Sequence, residues 1–195
     1  PELIIVSANK IYPNSGGKFS KPEKLFKHFP DNLITTSIFG DFNGDGFLDI
    51  FCSGRDMFPH LYEGDANMTF NNKPKVIKSF LEPLTMPIAS TSGDIDGDND
   101  LDIWLTQYKS PYIYGQMPTP YYDANDGFPS YLLINDGNGN FKDMTKTYGL
   151  DKKRFRRTYS CSFIDLDNDN LLDLITVNDF AGIDIYKNTG STFKD

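Results

Sequence analysis

The sequence is poor in the residues on which most catalytic and metal-scaffold chemistry relies. Two cysteines, Cys52 and Cys161, exclude a disulfide scaffold and a cysteine-based zinc cluster. Two histidines, His28 and His60, stand in neither metal-ligand nor nucleophile–base spacing. No G-x-S-x-G elbow, phosphate-binding glycine loop or Cys–His pairing is present. No run approaches the roughly 18 apolar residues of a membrane span. Bases are in the minority, 19 Lys and Arg against 27 Asp and Glu, for a net charge of −8. A nucleic-acid backbone demands the opposite balance. An initiating Met and a signal-peptide pattern are missing too, so any targeting segment is expected outside this chain. What is there suits a packed, turn-rich fold: 38% hydrophobic and 14% aromatic residues, with 16 Gly and 12 Pro.

The acids are concentrated. The segments GDFNGDGFLDIF from Gly40, GDIDGDNDLDIW from Gly93 and FIDLDNDNLLDLI from Phe163 hold three, five and four of them, twelve of the 27. Counted from the first Asp of each, side-chain oxygens fall at positions 1, 3, 5 and 9. These are Asp41, Asn43, Asp45 and Asp49; Asp94, Asp96, Asp98 and Asp102; and Asp165, Asp167, Asp169 and Asp173. Two carboxylates about 4 Å apart repel by roughly 4 kcal/mol at an effective dielectric near 20, so a folded chain keeps such a cluster by placing a cation inside it. Many oxygens in a flexible ring select Ca²⁺ over Mg²⁺, which predicts three calcium sites. Position 7 adds a backbone carbonyl from Phe47, Asp100 or Leu171. Positions 4 (Gly44, Gly97, Asn168) and 6 (Gly46, Asn99, Asn170) are Gly or Asn, the types that accept left-handed backbone angles. Positions 2 and 8 are apolar and predict anchorage to a core. This is not an EF-hand, which needs a bidentate Glu at position 12 and a following helix. Position 12 is Cys52, Leu105 or Thr176, in strand-like sequence.

A second repeat gives the architecture. KIYPNSGGKF from Lys10, HLYEGDANMTF from His60, YLLINDGNGNF from Tyr131 and DIYKNTGSTF from Asp184 each read as a strand end, an Asn/Gly turn, and a Phe opening the next strand. Repeated four-stranded antiparallel units predict an all-β fold of β-propeller blades. The expected repeats are 1–30 (incomplete), 34–80, 88–147 and 158–195 (incomplete), one segment of a larger ring. The third carries an insertion within Gln107–Ser130, rich in tyrosine: Tyr108, Tyr112, Tyr114, Tyr121 and Tyr122.

Loops and hairpins together resemble the FG-GAP/VCBS repeats of integrin-α-like propellers. FKDMTKTYGL, TYSCSFIDLDNDNLLDL and VNDFAGIDIYKNTG resemble the secreted proteins that join such repeats to an ASPIC/UnbV domain, although that domain itself is missing here. The resemblance implies an extracellular, cell-surface or periplasmic calcium-binding module for protein or carbohydrate recognition or adhesion, without enzymatic activity of its own. Its rival is the propeller portion, catalytic or not, of a polysaccharide-degrading enzyme such as a lyase. A spacer between other domains is a third reading. Expected partners are a protein or an anionic polysaccharide and the rest of the parent propeller, with no nucleic acid and no membrane insertion.

The run Lys152–Arg157 reads either as a solvated inter-blade loop or as an anion contact. Strand alternation places it on the face opposite the acidic loops, with Arg55, His60 and the Tyr-rich insertion. The ligand-face candidates are therefore Arg55, His60, Tyr121, Tyr122, Arg154, Arg156 and Arg157, combining flat apolar rings with bidentate forks.

Overall fold

Strands that are covered on both sides carry consecutive apolar residues, and two such strands, with Ile50-Phe51-Cys52 and Ile103-Trp104-Leu105 at their centres, organise this molecule. The computed structural model describes residues 1–112 and 117–195; Tyr114 of the insertion lies outside them. β6 (Ile34–Gly40), β7 (Asp49–Gly54), β8 (His60–Tyr62) and β9 (Lys75–Val76) form one antiparallel sheet. β10 (Pro87–Gly93), β11 (Asp102–Gln107), β12 (Tyr131–Ile134) and β13 (Lys142–Asp143) form the next. β14 (Arg157–Ile164), β15 (Asp173–Asp179), β16 (Gly182–Asn188) and β17 (Phe193–Lys194) form the last. Every residue of β7 and of β11 is buried. The chain is all-β, and these three four-stranded antiparallel blades each keep strict sequence order.

The first strands line up across the blades, with β10 packed between β6 and β14. These strands are rich in Ser and Thr, and hydroxyls tie them together. Thr36 Oγ1 lies 3.2 Å from Ser90 Oγ, and Phe163 N donates to Thr91 Oγ1 at 3.4 Å. Each junction between successive blades has its own core. Phe26, Ile50, Tyr62 and Phe70 fill the first, Phe42, Phe51, Leu61, Ile103 and Phe141 the second, and Ile95, Trp104, Leu174, Tyr186 and Phe193 the third. Cys52 and Cys161 are free and belong to different blades.

The first blade departs from the expected pattern. It pairs β1 (Leu3–Ile5), β2 (Lys10–Tyr12) and β5 (Glu23–Lys24). Its Asn/Gly turn is a separate two-stranded hairpin, β3 (Asn14–Ser15) with β4 (Lys18–Phe19). Phe19 is therefore an exposed member of that hairpin and does not open the blade's outer strand. Phe70 fails the same expectation. The long connection after β8 lets it turn into the junction core, where it bridges to Phe26 with ring centroids 5.7 Å apart. Phe141 stands just before β13 and Phe193 opens β17, as the pattern predicts.

The insertion is the whole β11–β12 connection, opposite the acidic loops.

Candidate metal centre

Each acidic loop joins the first strand of a blade to its second, and the three loops fold by one set of hydrogen bonds. The position-1 carboxylate gathers backbone N–H groups. Asp41 accepts from Gly44, Asp45 and Gly46 at 2.8, 3.1 and 2.8 Å. Asp94 accepts from Gly97 and Asn99 at 2.7 and 3.0 Å. Asp165 accepts from Asp169 and Asn170 at 3.2 and 3.0 Å. The position-5 carboxylate accepts from the position-7 N–H: Asp45 from Phe47, Asp98 from Asp100, Asp169 from Leu171, at 2.9 to 3.1 Å. The chain can wrap a carboxylate this tightly because positions 4 and 6 are left-handed in every loop, with φ of 61–81° at position 4 and 69–85° at position 6.

The position-9 aspartates lie deeper. Asp49, Asp102 and Asp173 are buried, and each spends both oxygens on backbone. One oxygen accepts from the position-2 N–H (Phe42, Ile95, Leu166) at 3.0 to 3.2 Å. The other accepts from the end of the third strand or the turn after it (Gly64, Asn135, Asn188) at 2.8 to 3.0 Å. Position 9 thus fastens each loop to the hairpin beside it. Asn135 and Asn188 extend the fastening to the neighbouring blade. Asn135 Nδ2 donates to Phe42 O at 2.9 Å and Asn188 Nδ2 to Ile95 O at 2.8 Å. Sequence reasoning read both only as turn formers; the sole hint was an Asn at the same offset in two hairpins. Gly64 holds that place in the second blade, where a Cβ would stand 2.1 Å from Leu48 O.

The remaining carboxylates converge. Ligand oxygens of Asp94, Asp96 and Asp98 lie within 4.8 Å of one another, as do those of Asp165, Asp167 and Asp169. In loop one Asn43 stands at position 3, its Nδ2 donating to Asp45 Oδ2 at 3.1 Å. Loop two fits a bound cation best. Asp96 Oδ1 and Asp100 Oδ1 are buried with no hydrogen-bond partner among the described residues, and a hard cation satisfies such oxygens. Burial and neighbouring charge act on these acids. Asp100 is pushed up to about 6 by burial and by Asp98 and Asp96 beside it. Burial raises Asp102 to about 7 against the pull of its two backbone donors. Asp96 rises from burial and Asp98, although Tyr148 donates to its Oδ2 at 3.2 Å.

The expected ligand face fares differently. Arg156 and Arg157 are buried and are spent inside the protein. Arg157 forks onto both oxygens of Asp126 at 2.9 and 2.8 Å and donates to Lys109 O at 2.7 Å. Arg156 donates to Ala124 O at 3.0 Å and pairs with Asp123 and Asp184 at 2.6 and 3.2 Å. Both are corrected from anion contacts to anchors of the insertion, because a buried guanidinium needs partners and the insertion supplies them. Tyr108 joins them, its hydroxyl donating to Asp179 at 2.8 Å and its ring stacked on Tyr159 at 4.6 Å. His60 is half-buried, its Nδ1 unpartnered among the described residues, and burial lowers its pKa. Arg55 is exposed beside Asp56, and Tyr121 and Tyr122 are exposed on the insertion.

Arg154, with Phe155 beside it, reaches an open groove. Its guanidinium lies 4.7 Å from the Tyr131 ring centroid and 3.6 Å from Asp143. Phe80 packs on the same ring at 4.3 Å. With Leu81, Glu82, Pro129 and Phe155 these residues line a groove of about 390 Å³ on the third blade, bounded by the connections that enter and leave it.

Blades in sequence order, first strands aligned and one core per junction define the β-propeller class of fold. Within it, residues 41–105 match the model of an FG-GAP-like repeat, spanning the first two loops. In structure the chain is similar to a lectin of Agrocybe aegerita, solved to explain its specific recognition of non-reducing terminal N-acetylglucosamine. The two share 18% identity at a TM-score of 0.56, over 95% of this chain and 44% of the lectin. The chain thus spans less than half of that lectin's length, and the likeness shows the fold. No curated protein matches the sequence.

Proposed function

We propose that the chain is a calcium-organised β-propeller segment that recognises neutral saccharide outside the cytoplasm, as a binder and not as an enzyme. The carrying observation is the groove around Arg154. A sugar ring offers an apolar face and a rim of hydroxyls. Phe80, Tyr131 and Phe155 supply aromatic surface, Arg154 supplies donors, and Asp143 and Glu82 supply acceptors. One positive charge beside two negative ones disfavours an anionic polysaccharide. The lectin likeness supports the same reading, and so does the FG-GAP-like repeat. Calcium acts at the other end of the blades. The carboxylates of each loop hold it, and its charge offsets their repulsion, so the strands carrying the groove are fixed. No described cluster favours the lyase reading: Arg55, His60 and Tyr121 each engage different neighbours.

A glycan array with the chain in millimolar Ca²⁺ tests the proposal. Binding of neutral glycans, lost in Arg154→Ala and Tyr131→Ala while far-UV circular dichroism is kept, is the expected result. Binding confined to sulfated or uronic glycans, or unchanged by both substitutions, overturns it.

A further inference from the structure

The three loops share a backbone but not a neighbour. Ile50 pairs with Tyr62, Ile103 with Leu133 and Leu174 with Tyr186. The next residues, Glu63, Ile134 and Lys187, therefore occupy one position in three blades, at the strand end beside the loop. Glu63 pairs with Lys75 at 3.5 Å. Ile134 packs against the third junction core. Lys187 does neither. Its ammonium pairs with Asp167 and, at 3.2 Å, with Asp169 Oδ2. Those are positions 3 and 5 of loop three, two members of its converging triad.

From this geometry we propose that Lys187 is a tethered counter-ion that competes with Ca²⁺ at loop three. An ammonium and a calcium ion ask the same carboxylates for the same negative charge, so binding must first displace the lysine. Loop two presents three carboxylates, unpartnered oxygens of Asp96 and Asp100, and no lysine at the equivalent place. Loop two fills first and loop three last. The sites are thus graded, and calcium at intermediate concentration leaves the fourth blade held by its own lysine. The inference rests on the calcium reading of the loops.

Calorimetric titration of chelator-treated chain with Ca²⁺ alone, for the wild type and Lys187→Met, tests it. The weakest site tightens by about five- to tenfold in Lys187→Met, the exposed ammonium being partly screened in the wild type. Glu63→Lys, which places an ammonium at loop one, weakens a different site. A second measurement needs no variant. Acetylation of lysines, followed by mass spectrometry, labels Lys187 slowly in chelator and faster in millimolar Ca²⁺, while the exposed Lys18 and Lys152 label alike in both. Unchanged affinities with heat evolved by both chains, or a Lys187 labelling rate indifferent to Ca²⁺, overturns the competition and leaves the calcium reading standing. No heat from either chain overturns both.

Discussion

The two ends of the blades are built on opposite plans. At the acidic-loop end one set of bonds is used three times: a carboxylate wrapped by its own loop, a buried Asp fastening loop to hairpin, and in two junctions an Asn reaching back to the preceding blade. At the other end little repeats beyond a register shift near the start of each first strand, between Ile34 and Thr36, Pro87 and Ala89, and Thr158 and Ser160. The β7–β8 connection runs over 55–59, the β15–β16 connection over 180–181 and the β11–β12 connection over 108–130. The longest is anchored by Arg156, Arg157 and Tyr108, each used once. Repetition holds where geometry must be the same in every blade. The end left free to vary is where individual contacts accumulate, and the Arg154 groove lies there.

If the variable end is held by its buried ion pairs, Arg157→Ala is the most damaging single change. It strands Asp126 and Lys109 O, and costs about 3 kcal/mol in urea unfolding, the pair being partly exposed on the Asp126 side. A loss below about 1 kcal/mol would mean that the insertion is dispensable to the blades. At the repeated end, Asn188→Ala removes a buried amide bonded to two blades and costs about 2 kcal/mol. The same truncation at Asn135 should cost at least as much, since its Nδ2 makes the corresponding two bonds and its Oδ1 accepts from Asp136 and Gly139 where that of Asn188 accepts from Gly190. A clearly smaller loss at Asn135 would break the claim of a shared plan.

Acid sharpens the contrast further. Asp102 near 7 and Asp100 near 6 lie above their ordinary value of 3.8, so between those limits the folded chain holds protons that the unfolded chain has released. In chelator, stability therefore rises as the pH falls from 8 toward 6.5. Below that His60, whose burial lowers its pKa, opposes the trend. Bound calcium holds the carboxylates ionised and removes the rise, which melting curves at paired pH values with and without Ca²⁺ will show. The smallest expected effect is that of Arg55→Ala. Its partner Asp56 is as exposed as it is, so melting should shift by less than a degree or two.

The loops were legible in the sequence because their folding is local. Left-handed angles at positions 4 and 6 follow from Gly and Asn, and the blades follow from strands at regular offsets. Anchorage of positions 2 and 8 was legible only by half. Phe42 and Ile95 are buried against the following blade, whereas Leu166 and Leu48 are exposed, because among the described residues no sheet packs against the fourth blade's outer face and no acidic loop stands beside Leu48. What could not be read depends on distant partners. Asn135 meets Phe42 across 93 residues, and so does Asn188 Ile95. The basic run looked like a surface contact because Asp123 and Asp126, which claim two of its arginines, stand some thirty residues earlier in an irregular loop.

Gly40 and Gly93 end β6 and β10. A Cβ at either would stand 2.6 Å from a leucine methyl, that of Leu101 or of Leu172, which belongs to position 8 of the next blade's loop. Each first strand thus carries a socket for its successor. Ile164 has the same register in β14 and carries a branched side chain there, exposed among the described residues. The blades are therefore not interchangeable bricks. A chain recombined so that the fourth blade stood before a leucine-bearing loop would press two branched side chains together, and the leucine methyl would have to swing aside. Shuffling of these repeats is directional, and the order of the blades is written into one residue at the end of each first strand.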